Sequence, residues 1–193
     1  MAMNNRITGA LKLAAEKSVL VVVDVQSRLG QAMPSKVLNR VLQNTALLAR
    51  AATLLEVPVL HTEQYPKGLG NTHPTVAEAL PKNCKLFVKT AFSCLDAEGF
   101  ATVIAALDRR HVVLVGMEAH ICVLQTAQDL LASGAEVFVV EDAICSRRLE
   151  NYQNALDRLR ACRINVVSAE SVVFEWLGDS RHPQFKAIQA WLR

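Results

Sequence analysis

Apolar residues in this chain come in two rhythms. Short unbroken runs alternate with longer stretches in which they recur every three or four positions. Ser18 to Val25 (SVLVVVDV) is the strongest run, and its lack of polar alternation marks a strand buried on both faces of a parallel sheet. Pro34 to Leu55 places Val37, Val41, Leu48, Ala52 and Leu55 on one stripe, which predicts a helix. Pro58 to Thr62 predicts a second strand. The prolines and glycines of Glu63 to Pro74 (EQYPKGLGNTHP) predict a loop. Leu86 to Lys89 predicts a short third strand, and Asp96 to Leu107 a helix. Val112 to Val115 is a further apolar run, closed by Gly116. From Ile121 the spacing turns helical: Ile121, Leu124, Ala127, Gln128 and Leu131 fall near one face, and Gly134 supplies the stop. Glu136 to Val140 predicts a fifth strand, Glu150 to Ala161 a helix and Asn165 to Ser168 a sixth strand. Pro183 to Leu192 is amphipathic through Phe185, Ile188 and Leu192.

Strand and helix alternate throughout. That order predicts an α/β fold of three layers, a mostly parallel six-stranded sheet with helices on both faces, Rossmann-like in the order 3-2-1-4-5-6. No linker, repeat or low-complexity segment interrupts it, so residues 1–193 are expected to form one domain. In such a sheet ligands bind beyond the carboxyl ends of the strands, where the strand order reverses. Three reactive side chains stand there: Asp24 ends the first strand, Lys89 ends the third, and Cys122 follows the fourth.

Composition narrows the partners. Hydrophobic residues make up 51% and charged residues 20%, which suits a packed chain and not a disordered one. A net charge of +3 argues for neither nucleic acid nor a membrane surface, and Arg147, Arg148, Arg158, Arg160 and Arg163 read as a solvated helix face. The cysteines (Cys84, Cys94, Cys122, Cys145 and Cys162) show neither CxxC pairing nor zinc spacing, and their odd number suits a reducing compartment. The N-terminus through Lys17 is polar and mildly basic, without an export h-region, and no apolar run approaches membrane-spanning length. We therefore expect a cytoplasmic protein with a small-molecule substrate and a homo-oligomeric state, dimer or tetramer.

The chemistry follows from the three strand ends. A cysteine in the first turn of a helix meets the positive end of the helix dipole, which favours thiolate; the plainer reading is a small buried hydrophobe. A carboxylate after VLVVV must be paired or used, and Lys89 is the obvious partner for Asp24. Thiol, carboxylate and ammonium at one edge make the parts list for covalent acyl transfer. Gly68-Leu69-Gly70 reads as a plain turn, because no Gly-Lys-Ser/Thr follows, and no GxGxxG follows the first strand. Cys94 and Cys145 read as packing residues.

Three segments carry a family resemblance. VVVDVQ at Val21–Gln26, VKTAFS at Val88–Ser93 and GMEAHIC at Gly116–Cys122 resemble the signature segments of the isochorismatase-like cysteine hydrolases. TEQYPKGLGNT at Thr62–Thr72 resembles the branch known as isochorismatase domain-containing proteins. The resemblance implies a six-stranded parallel sheet and a triad of Asp24, Lys89 and Cys122. It also implies how they act in the amidases. Asp24 takes the thiol proton, Cys122 attacks a carbonyl, and Asp24 returns the proton to the leaving amine while Lys89 holds it. Backbone N–H groups of Glu118 and Cys122 would form the oxyanion hole, with a non-proline cis peptide between Met117 and Glu118. Gln64, Tyr65, Phe92, His120 and Ile121, adjacent to the triad segments, are candidate substrate-binding walls. Nicotinamidases carry a metal-binding Asp-x-His after the second strand; here Glu63-Gln64-Tyr65 stands there, so no metal and no cofactor are expected, and His61 and His73 read as strand and loop residues. Three rivals stay open: vinyl-ether hydrolysis by acid catalysis from Asp24, a thiol-redox protein using Cys122, and a non-catalytic protein on the same fold.

Overall fold

The computed structural model describes residues 12–192. The expectations for the first eleven residues, and the two ends of the domain span 1–193, lie outside the described residues. The strands β1 (Ser18–Val23), β2 (Val59–Gln64), β3 (Lys85–Lys89), β4 (His111–Met117), β5 (Glu136–Cys145) and β6 (Asn165–Val167) form one parallel sheet in the order β3-β2-β1-β4-β5-β6. The predicted order is therefore the observed one. Helices α1 (Ser27–Gly30) and α2 (Ser35–Leu54) lead from β1 to β2, and α3 (Pro66–Leu69) and α4 (Pro74–Ala77) lead to β3. Then come α5 (Phe100–Ala106), α6 (Leu124–Ala132) and α7 (Leu149–Ala161), with α8 (Ala169–Leu177) and α9 (Phe185–Gln189) after β6.

Successive side chains of a strand point to opposite faces, so a strand covered on both sides is apolar at every position. In β1, Val19, Val21 and Val23 enter a core with Leu124 and Ala127 of α6 and Leu159 of α7. Leu20 and Val22 enter the other, with Val41 and Leu48 of α2 and Val172 and Trp176 of α8. Two helical layers sandwich the sheet.

Departures from the expected elements have local causes. The helix expected from Asp96 starts at Phe100, because Gly99 turns the backbone at φ 75°; Cys94–Asp96 forms a 3₁₀ turn capped by the Ser93 hydroxyl. Strand β5 runs on to Cys145 past the charged Glu141 and Asp142, through a register shift that pairs Ile144 with Gly116 and Cys145 with Met117. Helix α8 is absent from the sequence-based expectations, which pass from the strand ending at Ser168 to the amphipathic tail at Pro183. Ser168 is its N-cap, accepting from the Ser171 N–H at 3.2 Å. The amphipathic tail keeps only the short α9, with Ile188 buried.

One glycine governs the central crossing. Gly116 has φ 126°, and a Cβ there would lie 1.9 Å from the carbonyl oxygen of Val23. Only glycine lets β4 approach β1 this closely, where both strands deliver their reactive residues.

Candidate active site

Strand β1 ends as the backbone turns into the left-handed region at Asp24, φ 50°. The carboxylate is fully buried. Its Oδ1 accepts from the Thr62 hydroxyl at 2.7 Å and its Oδ2 from Lys89 Nζ at 2.7 Å. Lys89 reaches it from the end of β3, which lies two strands away across the parallel sheet. Its Nζ also donates to Gln64 Oε1 at 2.8 Å, the Phe92 carbonyl at 3.0 Å and the Ala91 carbonyl at 3.3 Å. Burial works against the ammonium, but the Asp24 carboxylate outweighs it and holds the Lys89 pKa above its ordinary value.

Cys122 arrives from the other side. After β4 the Met117–Glu118 peptide is cis, as the resemblance implies, and Ala119–Val123 forms a π-helical turn running into α6. The Cys122 residue is 6% exposed, and both members of the ion pair act on its thiol. Burial pushes that thiol up to about 12 and the Asp24 carboxylate adds to the rise, while Lys89 opposes it. Loss of water and the nearby anion oppose the thiolate that the helix start favours, so the thiol holds its proton more tightly than a free cysteine.

The remaining predicted residues divide. Gln64 is engaged at both ends of its amide: Oε1 accepts from Lys89, and Nε2 donates to the Thr90 carbonyl at 2.7 Å. Tyr65, 53% exposed, and Phe92, 52% exposed, border Lys89 through their backbones: the Tyr65 N–H donates to the Lys89 carbonyl at 3.0 Å, and the Phe92 carbonyl accepts from Nζ. His120 is half-buried, with Nδ1 2.9 Å from the Ser146 hydroxyl, and Ile121 packs partly against the α6–α7 core. Glu118 is buried, its Oε1 accepting from Arg147 Nε at 2.8 Å and the Arg147 N–H at 3.3 Å. Arg147 therefore anchors the turn that carries the cysteine, where the sequence suggests only a solvated face.

The segment expected to lack metal ligands has other work. Glu63 Oε1 accepts from the Thr72 N–H at 2.6 Å and its hydroxyl at 2.7 Å, closing the loop after β2. His61 Nδ1 lies 3.2 Å from Cys84 Sγ, and His73 caps α4. Among the described residues, no three His, Cys, Asp or Glu side chains gather as a metal-ligand cluster. Two residues close to the chemistry are absent from the sequence-based candidates. Gln26, fully buried, binds the Gln64 backbone with both ends of its amide. Thr62 grips Asp24. Their sequence signals are nearness to strand ends and membership of the segments that carry the resemblance, Gln26 closing VVVDVQ and Thr62 opening TEQYPKGLGNT. A cleft of about 560 Å³, lined in part by Leu55, Arg109 and Trp176, opens near the amino ends of the strands, away from these groups.

A buried carboxylate–ammonium pair and a thiol thus stand at the carboxyl edge of a parallel α/β sheet. Sequence comparison places the protein: an isochorismatase domain matches residues 18–171, and the chain belongs to the isochorismatase family. It is 38% identical over 178 residues to isochorismatase domain-containing protein 2 of Xenopus laevis, covering 92% of this chain and 84% of that protein. A solved structure, the MAR1 ribonuclease of Caenorhabditis elegans, is similar at a TM-score of 0.87 and 36% identity, covering 94% of this chain and 92% of the other. The octameric YcaC hydrolase of Escherichia coli, of unknown specificity, shares the fold at a TM-score of 0.85 and 23% identity, over 95% of this chain and 90% of that one.

Proposed function

We propose that this isochorismatase-family protein hydrolyses a small amide, ester or related carbonyl compound through a covalent thioester on Cys122. One observation carries the reading: the buried Asp24–Lys89 pair at 2.7 Å, with both charges acting on the Cys122 thiol. Asp24 takes the thiol proton as Sγ bonds to the carbonyl carbon and the carbonyl electrons move to oxygen. The N–H groups of Glu118 and Cys122 stabilise that oxyanion. Collapse breaks the carbon–nitrogen bond, and Asp24 gives its proton to the leaving amine. Water, deprotonated by Asp24, then splits the thioester and restores the thiol. Lys89 keeps its proton throughout. No cofactor enters the cycle. Tyr65, Phe92, His120 and Ile121 wall the substrate site, and Gln64 serves it through Lys89.

The half-exposed Tyr65, Leu86, Val88 and Phe92 form an apolar edge beside the site, which supports a homo-oligomer, dimer or tetramer. Light scattering of the purified protein tests that state. Free cysteines support a cytoplasmic location, testable by fractionation.

The deciding experiment is a panel of small amides and esters with Cys122→Ala beside the wild type. Turnover is expected to disappear in the variant while the fold persists, since alanine suits a helix. Full activity in Cys122→Ala would refute the thioester and favour acid catalysis from Asp24, as in vinyl-ether hydrolysis. The nematode relative is a ribonuclease by name, which adds RNA as a second substrate class, so a single-stranded RNA belongs in the same panel.

A further inference from the structure

We propose that Thr62 is a positioning residue of this site: its hydroxyl holds Oδ1 of Asp24 while Lys89 holds Oδ2, fixing the carboxylate in one orientation beside Cys122. The inference rests on the hydrolytic reading above.

Thr62 grips Asp24 at more than one point. Its hydroxyl donates to Oδ1 at 2.7 Å, its carbonyl accepts from the Asp24 N–H at 3.2 Å, and its Oγ1 lies 3.3 Å from the same N–H. One hydroxyl has a single proton to donate and lone pairs to accept with, so both roles are compatible. A carboxylate held by Lys89 alone could pivot about that contact. Held on both oxygens, it turns only by breaking a hydrogen bond. The proposed cycle returns the proton through the same carboxylate, so its oxygens must stand in the same place at both transfers.

Thr62 is almost fully buried and spends its one hydroxyl proton on Asp24. The titratable groups around Asp24 are Lys89 from β3, Cys122 from the turn after β4 and Cys94 from the turn after β3, whose Sγ lies 3.8 Å from the Thr62 hydroxyl. Thr62 adds no charge to that set. Its contribution is aim.

Thr62→Val removes the hydroxyl and keeps the branched shape, and Thr62→Ser keeps the hydroxyl. In Thr62→Val, kcat should fall by roughly tenfold or more, a fraction of what a positioned acid–base group supplies. KM should hold within about twofold, because the hydroxyl is engaged by Asp24. Thr62→Ser should recover the rate. The pH profile of Cys122 alkylation by iodoacetamide, which needs no substrate, should shift in the valine variant and not in the serine one. An unchanged profile in Thr62→Val, or equal losses in both variants, would overturn the proposal. A rise in KM alone also overturns it. If Thr62→Val does not fold, Thr62→Ala against Thr62→Ser makes the same comparison. Turnover surviving in Cys122→Ala sinks the hydrolytic reading; a dead Cys122→Ala beside fully active Thr62→Val sinks only the role of Thr62.

Discussion

Replacing Lys89 by methionine would leave a buried carboxylate without its cation. At 2.7 Å, with both side chains fully buried, unit charges attract by roughly 6 kcal/mol at an effective dielectric constant of about 20. Desolvation of both ions offsets much of that attraction. The net cost of stranding one partner is therefore smaller, about 3–5 kcal/mol. Against a stability of about 5–15 kcal/mol, that is a large share. With a urea m-value of about 2 kcal/mol per molar, the midpoint should drop by roughly 2 M. Pairing Lys89→Met with Asp24→Asn removes both charges and should recover about half of the lost stability or more, while activity stays absent. Urea denaturation at pH 7 reads each value. A loss below about 1 kcal/mol for Lys89→Met, or a double variant less stable than the single one, would refute the account of a charge pair held together by mutual need.

Gly116→Ala would drive a Cβ to within 1.9 Å of the Val23 carbonyl oxygen at φ 126°. We expect a loss above about 3 kcal/mol or no folded protein, and a loss below about 1 kcal/mol by urea denaturation would contradict the geometry. Alkali should also weaken the fold. Burial raises Cys122, Cys84 and Cys145 from 9.0 to about 12, so the unfolded chain releases these protons first and stability falls between those values. The Lys89 contribution has the same sign: it is fully present below the unfolded lysine value of about 10.4 and is lost as pH rises through the higher folded one. Thermal melts from pH 8 to 11 check the slope. A melting temperature that rises across this window would contradict the assigned burial.

Sequence alone determined the strand–helix order and the places where reactive groups stand. An unbroken apolar run such as Val19–Val23 has one low-energy home, a strand covered on both faces, and its end locates Asp24 with little ambiguity. The same logic located Lys89 and Cys122, and local motif resemblance supplied their association. Period and order are local properties, written within a few residues of where they act. Helix α8 was legible in principle, through the Ser168 cap and the apolar spacing of Val172, Val173, Trp176 and Leu177, but the short strand before it masked the change of rhythm.

Tertiary structure decided what the side chains do to one another. Gln64 became a support for Lys89 and Thr62 a holder of Asp24, because parallel pairing sets Gln64 opposite Lys89 and, across β1 and β2, brings Thr62 to the Asp24 N–H. Arg147 became an anchor for Glu118 through the register shift in β5, which no periodicity announces. The ionisation of Cys122 was decided there too. A helix start argues for thiolate, but burial and the nearness of Asp24 arise from packing across strands far apart in sequence, and both push the thiol up. Pattern specifies which face a residue takes; only the folded arrangement specifies its distance from a charge or from water, and electrostatics depends on that distance.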